Sequence, residues 1–330
     1  MLRIHFTPED LARVRVAPEP DYLWEIANSV QTLQRRDGAP VFGTWRGWAR
    51  ARLTGTRPLL SVLLPPRGYS PDFLTPSQDT PASLDTALDT LLSTPRSRLR
   101  TDLARLDATR PLPRWTSDLA EGDTETLNRL GEAIRTYHAQ AIAPLWNTIH
   151  AHIDADRMLR MRSLLTGGVE GLLAGLGPHF RWKPPVLEVD YPVEKVLRLE
   201  GRGLLLQPSF FCWPAPVSLA DADLMPVLVY PVPHDLDMAR GPAPPYERPH
   251  PLGALLGNTR AAVLRTAVHG CSTSELARQL GVTAPAVSQH VAVLREAGLL
   301  MTVRQAGRAL HVATAEGRAL LRCVPGGNSG

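Results

Sequence analysis

The most constraining feature of the chain is a run of helix and turn signals within residues 272–310. Ser272 stands three residues before Glu275, the spacing at which two side chains cap the start of a helix reciprocally. Gly281 follows this helix and can adopt the positive φ of a tight turn. Thr283 then supplies a cap for a second helix. The pattern therefore predicts two short helices joined by a glycine turn.

The second predicted helix has two different faces. Val287, Val291 and Leu294 recur at i, i+4 and i+7, so they lie on one side and can form a small core. A helix-turn-helix unit places its second helix in the major groove of DNA, so we expect the opposite side to face the groove. The candidate DNA-contacting residues there are Ala284, Pro285, Ser288, Gln289 and Arg295, together with the capping Thr283.

Within this face, Ser288 and Gln289 are the candidates for reading bases. The amide of Gln289 can form two hydrogen bonds with adenine, and the hydroxyl of Ser288 can bond several base edges. Arg295 is expected to reach a phosphate, which would hold the helix in register without reading sequence.

A basic hairpin follows the second helix. Residues 299–303 and 309–313 have the pattern of two strands, and the turn between them carries Arg304 and Arg308. A wing of this kind lies beside the backbone or in a minor groove, where the negative potential favours arginine. The alternative is an ordinary hairpin whose two arginines are merely solvated.

Several short motifs occur together in this part of the chain. They are Leu-Gly-x-x-Arg at 256–260, Glu-Leu-Ala-x-x-Leu-Gly at 275–281, Ala-Val-Ser-x-His at 286–290, Leu-x-x-Ala-Gly-Leu at 294–299 and Arg-x-x-Gly-Arg at 304–308. The combination resembles the ArsR-type family of winged-helix repressors, over about the last quarter of the chain. The resemblance implies that His290 lies at the DNA beside Ser288 and Gln289. It also implies a homodimer formed by the helices near 259–269 and 315–323.

Two departures from the family pattern matter. Metal-sensing members carry Cys-x-Cys where this chain has Ser272 and Ser274, and Cys271 has no partner thiol, so no metal site is expected. The chain also has a large N-terminal body. Its opening, with segments 201–206 and 208–211, resembles larger ArsR-type regulators that carry an uncharacterised N-terminal domain.

The charge is concentrated in the same C-terminal region. Residues 252–324 contain eight arginines and three glutamates, a net charge of +5, whereas the whole chain has +4. The rest of the chain is therefore close to neutral. A local positive excess is what attraction to phosphate requires.

Seven prolines fall between residues 231 and 251. Proline fixes φ and lacks an amide donor, so this stretch predicts an extended linker. We therefore expect a body at 1–231, a linker at 232–251, a winged helix-turn-helix at 252–324 and a flexible tail at 325–330.

The fold class predicted for the chain is α+β. Helical periodicity occurs at 23–33, 84–92, 99–106 and 127–149, with Thr7-Pro8, Thr94-Pro95 and Asp123 as helix starts and Pro144 as an interruption. After Pro184 the pattern changes to short strand-like runs at 186–191, 193–199, 204–207 and 227–230. The body is thus expected to be mostly helical with a small β section near 185–231.

Other function classes have little support. The sequence lacks a membrane-spanning apolar run and a secretory signal pattern, and its three separated cysteines suit a reducing, cytoplasmic setting. Phosphate-loop, metalloprotease, nucleophile-elbow and dinucleotide motifs are absent. We therefore expect no catalytic residue, no cofactor and no metal. The alternatives are a winged helix that binds protein and an enzyme with a DNA-binding appendage.

Two residue clusters in the body leave alternatives open. His150 and His152 are each followed four residues later by an aspartate, but the two pairs point about 200° apart on a continuous helix, which opposes a shared metal ion. The second cluster could line an effector pocket, although structural core is the default. Its members are Trp146, Trp182, Phe210, Phe211 and Trp213.

Overall fold

The computed structural model describes residues 1–53, 57–76, 83–221, 224–234, 251–305 and 308–322. The chain divides into two compact units, Met1–Pro242 and Ala243–Gly330. Most of the predicted linker (235–250) and the predicted tail lie outside the described residues. With 56% helix and 15% strand, the structure confirms the mixed α+β class.

The described part of the first unit contains nine α-helices and eight strands. The helices are α1 Pro8–Ala12, α2 Tyr22–Gln34, α3 Ala39–Arg52, α4 Arg57–Leu63, α5 Leu84–Leu92, α6 Arg96–Asp107, α7 Trp115–Ala120, α8 Thr124–Tyr137 and α9 Trp146–Ala174. The strands are β1 Leu2–His5, β2 Val14–Val16, β3 Phe180–Lys183, β4 Val186–Val189, β5 Lys195–Arg198, β6 Leu204–Ser209, β7 Val217–Ser218 and β8 Val227–Pro231.

The strands form two four-stranded sheets. The first has the order β3-β4-β1-β5, and the second has the order β2-β6-β8-β7. In the first sheet β1 pairs antiparallel with β4, with Leu2 opposite Val189, and parallel with β5. In the second, β6 pairs parallel with both β2 and β8. The N-terminal strands therefore complete sheets built mainly from residues 180–231.

Three hydrophobic cores lie in the first unit. The largest is helical and includes the fully buried Phe42, Leu88 and Ile149. The second packs the sheets against the end of α9 and includes Leu2 and Leu206. The third and smallest includes Trp24 and Cys212. Burial of one apolar face per element against its neighbours is the main favourable term in such packing.

Buried carboxylates from the helical half bind backbone amides of the β half. Glu25 accepts hydrogen bonds from the amides of Phe210 (2.7 Å) and Phe211 (3.0 Å). Asp72 accepts from the amides of Ala220 and Asp221. A third such bond runs from the amide of Gly203 to Asp10 (2.9 Å). These contacts satisfy loop amides that no strand partner reaches, so they fix the loops against the helices.

Helix α9 is tied to the second sheet by a buried ion pair. Arg160 donates to Asp156, and both residues are almost fully buried. The hydroxyl of Tyr230 on β8 donates to the same carboxylate at 2.6 Å. A buried carboxylate needs such partners, because an unpaired charge in a core is strongly destabilising.

Most of the predicted elements of the body are confirmed. Thr7 and Asp123 cap α1 and α8 as expected, and a π-turn at His138–Ile142 with a 3-10 turn at Ala143–Leu145 interrupts the helices near Pro144. Helix α6 begins directly after Thr94-Pro95, with Pro95 as its cap, and the Thr94 hydroxyl donates to the carbonyl of Leu91.

Seven elements of the body were not predicted, namely α3, α4, α7, β1, β2, β3 and β7. Helices α3 and α4 were missed, and α3 contains Pro40, Gly43 and Gly47, which weaken a helical pattern. Strands β1 and β2 were missed as well. They are short, and their partners lie about 190 residues further along the chain.

Glu25 gives the first unit a testable pH dependence. Burial raises its pKa to about 7, against the opposing effect of the Phe210 and Phe211 amides. The folded state then keeps a proton that the unfolded chain loses above its ordinary value of 4.5. The free energy of unfolding should therefore decrease as pH rises from about 4.5 to 7, by at most about 3 kcal/mol from this group.

The comparison of wild type with Glu25→Gln isolates this contribution. The variant should gain stability relative to wild type as pH rises from 5 to 8, because its amide does not titrate. All seven tryptophans lie between residues 24 and 213, so urea unfolding followed by tryptophan fluorescence reports on this unit. If the free energy of unfolding changed equally with pH in wild type and in Glu25→Gln, the raised pKa of Glu25 would be contradicted.

Candidate nucleic-acid interface

The second unit begins with two helices, α10 Pro251–Leu256 and α11 Asn258–Thr266. It continues with α12 Thr273–Leu280, α13 Ala284–Glu296, β9 Leu300–Gln305, β10 Arg308–Ala313 and α14 Ala315–Arg322. Its core includes Val263 and Leu264 of α11 and Leu276 of α12, all fully buried. Helices α12 and α13 form the predicted helix-turn-helix.

The start of α12 and the turn after it are built as the sequence indicates. The Glu275 amide donates to the Ser272 hydroxyl (3.3 Å), and the Ser272 amide donates to the Glu275 carboxylate (2.7 Å). Gly281 closes the helix with a φ of 65°. This left-handed conformation costs most side chains about 1–2 kcal/mol, so the position favours glycine.

One face of α13 packs into the core of the unit. Val287, Val291 and Leu294 are 0%, 4% and 1% exposed, as their spacing predicts. The Thr283 hydroxyl caps the helix by accepting from the Ala286 amide (3.4 Å). These contacts fix the rotation of the helix about its own axis, and so decide which residues face outward.

The outward face carries the predicted DNA-contacting residues. Ala284, Pro285, Ser288, Gln289 and Arg295 are exposed, and no other described side chain covers them. His290 is partly buried and lies at the border between the two faces. Ala284, Pro285, Ser288 and Gln289 lie in the first half of α13, which is the half that contacts bases in helix-turn-helix domains, whereas Arg295 lies in its last turn.

An acidic residue also lies on the exposed face. Glu296 is exposed and stands seven residues after Gln289, which places it on the same side of α13. The two residues are about 10 Å apart along the helix axis. The carboxylate therefore lies at the far end of the helix, away from the polar surface formed by Ser288 and Gln289.

The wing is a two-stranded antiparallel sheet. Strands β9 and β10 pair in register, with Arg304 opposite Ala309 and Arg308 opposite Gln305. The strands are longer than predicted, so both arginines belong to strand ends and not to the turn. Arg304 is exposed. The Arg308 side chain lies outside the described part of the chain.

The sequence analysis missed His311 on β10. Its side chain is 7% exposed and lies opposite Thr302 of β9. Nδ1 is 3.0 Å from the Thr302 hydroxyl, and Nε2 is 3.0 Å from the Thr273 hydroxyl at the start of α12. Burial and the positive charge of Arg295 lower the pKa of His311. Strand alternation and the hairpin register were the signals that could have revealed this pair.

A backbone bridge reinforces the same connection. The amide and carbonyl of His311 exchange hydrogen bonds with those of Cys271, at 2.8 Å and 3.1 Å. Burial and nearby Glu275 raise the pKa of the Cys271 thiol. Its side chain donates to the Thr266 carbonyl. Cys271 thus has a structural environment, and its thiol is held in the protonated form.

The first of the two clusters considered in the body, the histidines and aspartates at 150–156, contacts residues outside the cluster. His150 pairs with Glu19, Asp154 with Arg157 and Asp156 with Arg160. Within the described residues, no group of three or more histidine, cysteine, aspartate or glutamate side chains could hold a metal ion. His152 Nδ1 lies 2.9 Å from the Thr148 carbonyl of its own helix, so the four residues have four separate partners.

The five aromatic residues divide between the helical core and the sheet core of the first unit. Phe210 and Phe211 are fully buried in the helical core, and Trp146 and Trp213 pack against it. Trp182 belongs to the sheet core, with its ring edge against Phe6. They do not line one common pocket.

Comparison with known proteins supports the domain assignment. A family model described as a helix-turn-helix domain matches residues 259–303. A search of curated proteins found no match, and neither did a search of solved structures.

Residues 259–303 are a helix-turn-helix domain. The match spans α11 to β9, and it indicates a DNA-binding regulator. No helix in the described part of the chain combines the length and apolarity that a membrane span would need.

Gly281 offers a direct test of the turn geometry. Gly281→Ala should reduce the stability of α12 and α13 by about 1–2 kcal/mol, because alanine is strained at positive φ. Nothing lies within 4 Å of an added Cβ, so crowding does not contribute. Amide hydrogen exchange of the two helices measures the loss. Gly281→Asn is the control and should lose less, since asparagine tolerates this conformation. Equal losses for both variants would contradict the strain argument.

Proposed function

We propose that this protein is a sequence-specific transcriptional regulator of the ArsR type. It acts as a homodimeric repressor on a pseudo-palindromic DNA site, in the cytoplasm. The observation that carries the proposal is the outward face of α13, where Ser288 and Gln289 are exposed while three apolar residues lock the opposite face into the core. A rigid helix with short polar side chains at its first turns suits the edges of bases in a major groove.

The charge of the second unit supports DNA over protein as the partner. Residues 252–324 carry a net charge of +5, and Arg304 of the wing is exposed. A surface that docks protein is expected to have a more apolar centre than the Ser288 and Gln289 surface. The same charge gives a sequence-independent attraction to any duplex, on which base contacts add specificity.

We infer a dimer because the exposed face of a single α13 helix is small. One recognition helix contacts only a few base pairs, and dimers of such domains read two half-sites about one helical turn apart. The ArsR resemblance assigns the dimer contacts to the elements flanking the motif, which here are α11 and α14. Two copies related by a two-fold axis would present two α13 helices to a pseudo-palindrome.

The N-terminal unit is proposed to sense a ligand or partner, and the proposal includes no catalytic step. An open surface groove of about 730 Å³ lies beside α8, with Leu59 of α4 in its lining, and it exposes both polar and apolar surface to a small ligand. Its lining includes Thr124, Glu125, Asn128, Arg129, Glu132 and Thr136. Because every tryptophan lies in this unit, quenching of their fluorescence screens ligands for it directly.

The proposed function is tested by selecting bound duplexes from a random pool with the full chain. We expect enrichment of a pseudo-palindromic sequence. Gln289→Ala should then weaken binding to the selected site by about 1–3 kcal/mol and relax the preference at one base position in each half-site. Competition binding with single-base variants of the site measures the change.

Arg304→Gln is the matched control for this prediction. Loss of a phosphate contact should weaken selected and random duplexes equally, and should lower the slope of log affinity against log salt by about 0.9. An equal loss on selected and random DNA after Gln289→Ala would show that Gln289 does not read bases. A pool without any enriched sequence would contradict the proposed function itself.

A further inference from the structure

His311 connects three parts of the second unit at one buried point. Its ring lies between the Thr302 hydroxyl of β9 and the Thr273 hydroxyl of α12, each at 3.0 Å. Its own backbone pairs with Cys271, two residues before α12 begins. The side chain therefore joins both strands of the wing to the first helix of the helix-turn-helix.

The two hydrogen bonds fit a neutral imidazole. A neutral ring has one nitrogen that donates and one that accepts, and a threonine hydroxyl can take either complementary role. Burial and Arg295 lower the pKa of His311, so the neutral form is favoured. Both ring nitrogens thus have partners, and a buried polar group with full hydrogen bonding specifies a single geometry.

The contacts of His311 with Thr302 and Thr273 form a joint between the wing and α12. Thr302 connects this joint to the part of the wing that carries Arg304. Alternate residues of a strand share a face, so Arg304 lies on the same face of β9 as Thr302, about 7 Å further along the strand. Arg304 is exposed, whereas Thr302 is held by His311. Fixing Thr302 therefore fixes the base of the segment that carries Arg304.

We propose that His311 is a positioning residue for DNA binding, which holds the wing against α12 so that Arg304 reaches the backbone of the duplex that α13 reads. The inference rests on the proposed function and adds a residue to it. His311 touches no DNA in this arrangement. It acts through Thr302 on the wing and through Thr273 on the helix-turn-helix.

The test uses the full chain and the conservative variant Thr302→Val, which removes one hydroxyl and keeps the shape of a β-branched side chain. Thr101→Val is the matched control, because the exposed Thr101 hydroxyl on α6 donates to the Ser97 carbonyl of its own helix and lies outside the second unit. Circular dichroism and thermal melting establish that each variant is folded. Affinity for the selected duplex is then measured at 50 and 200 mM salt, with and without Arg304→Gln.

We expect the effects of Thr302→Val and Arg304→Gln on the salt dependence of binding to be coupled and not additive. One phosphate contact makes affinity fall about 3.5-fold more between 50 and 200 mM salt. Thr302→Val should lose this additional salt dependence of about 3.5-fold, as Arg304→Gln does. The double variant should show the same salt dependence as either single variant. Thr101→Val should keep the salt dependence of wild type. The ratio of affinities for selected and random DNA should not change, because α13 is untouched.

Other outcomes overturn the proposal. If Thr302→Val keeps the salt dependence of wild type, or if Arg304→Gln has its full effect in the Thr302→Val background, the joint does not position the wing. If Arg304→Gln has no effect in wild type, the wing does not contact the backbone and the proposal is wrong. A smaller folded fraction alone lowers apparent affinity without changing the salt slope. Absence of sequence preference in wild type would instead contradict the proposed function.

Discussion

The burial of Val287, Val291 and Leu294 is the interaction on which the outward polar surface of α13 depends. Each fully buried aliphatic side chain stabilises its packed position by about 1.5–3 kcal/mol. Together they determine the rotation of α13, since no other rotation places all three in the core. The polar residues of the helix then face outward because the apolar ones face inward. Gly281 and the Ser272–Glu275 cap bring α13 to this place by ending one helix and beginning the next.

The first unit depends on a different principle. Its helical and β halves come from distant parts of the chain, and buried carboxylates join them by accepting amide hydrogen bonds from loops. Glu25 and Asp72 do this for segments near 210 and 220, and Asp10 does it near 203. The Asp156–Arg160 pair with Tyr230 adds a fourth connection. Such contacts give the unit defined geometry where apolar packing alone would allow sliding.

The parts that could be predicted from the sequence are those set by local pattern. The capping box at Ser272, the turn at Gly281 and the buried face of α13 depend on residues within a few positions of each other, and all three are confirmed. The fold class and the main helices of the body followed from periodicity in the same way.

The parts that were missed depend on distant partners. Strands β1 and β2 are stabilised by partners from β4, β5 and β6, and His311 gains its role from Thr273, 38 residues earlier. Neither relation leaves a local signal. Helix α3 was hidden because its glycines lower helix propensity, while the burial of Trp45 and Phe42 compensates in the folded protein.

The bridge between Cys271 and His311 has a mechanical consequence. It joins the wing to the beginning of α12, while the core joins α12 to α13, so α13 and the wing belong to one packed block. Under the proposed function, a regulatory signal would therefore have to change the spacing or tilt of one whole unit relative to the second copy, and not the geometry of α13 or of the wing separately.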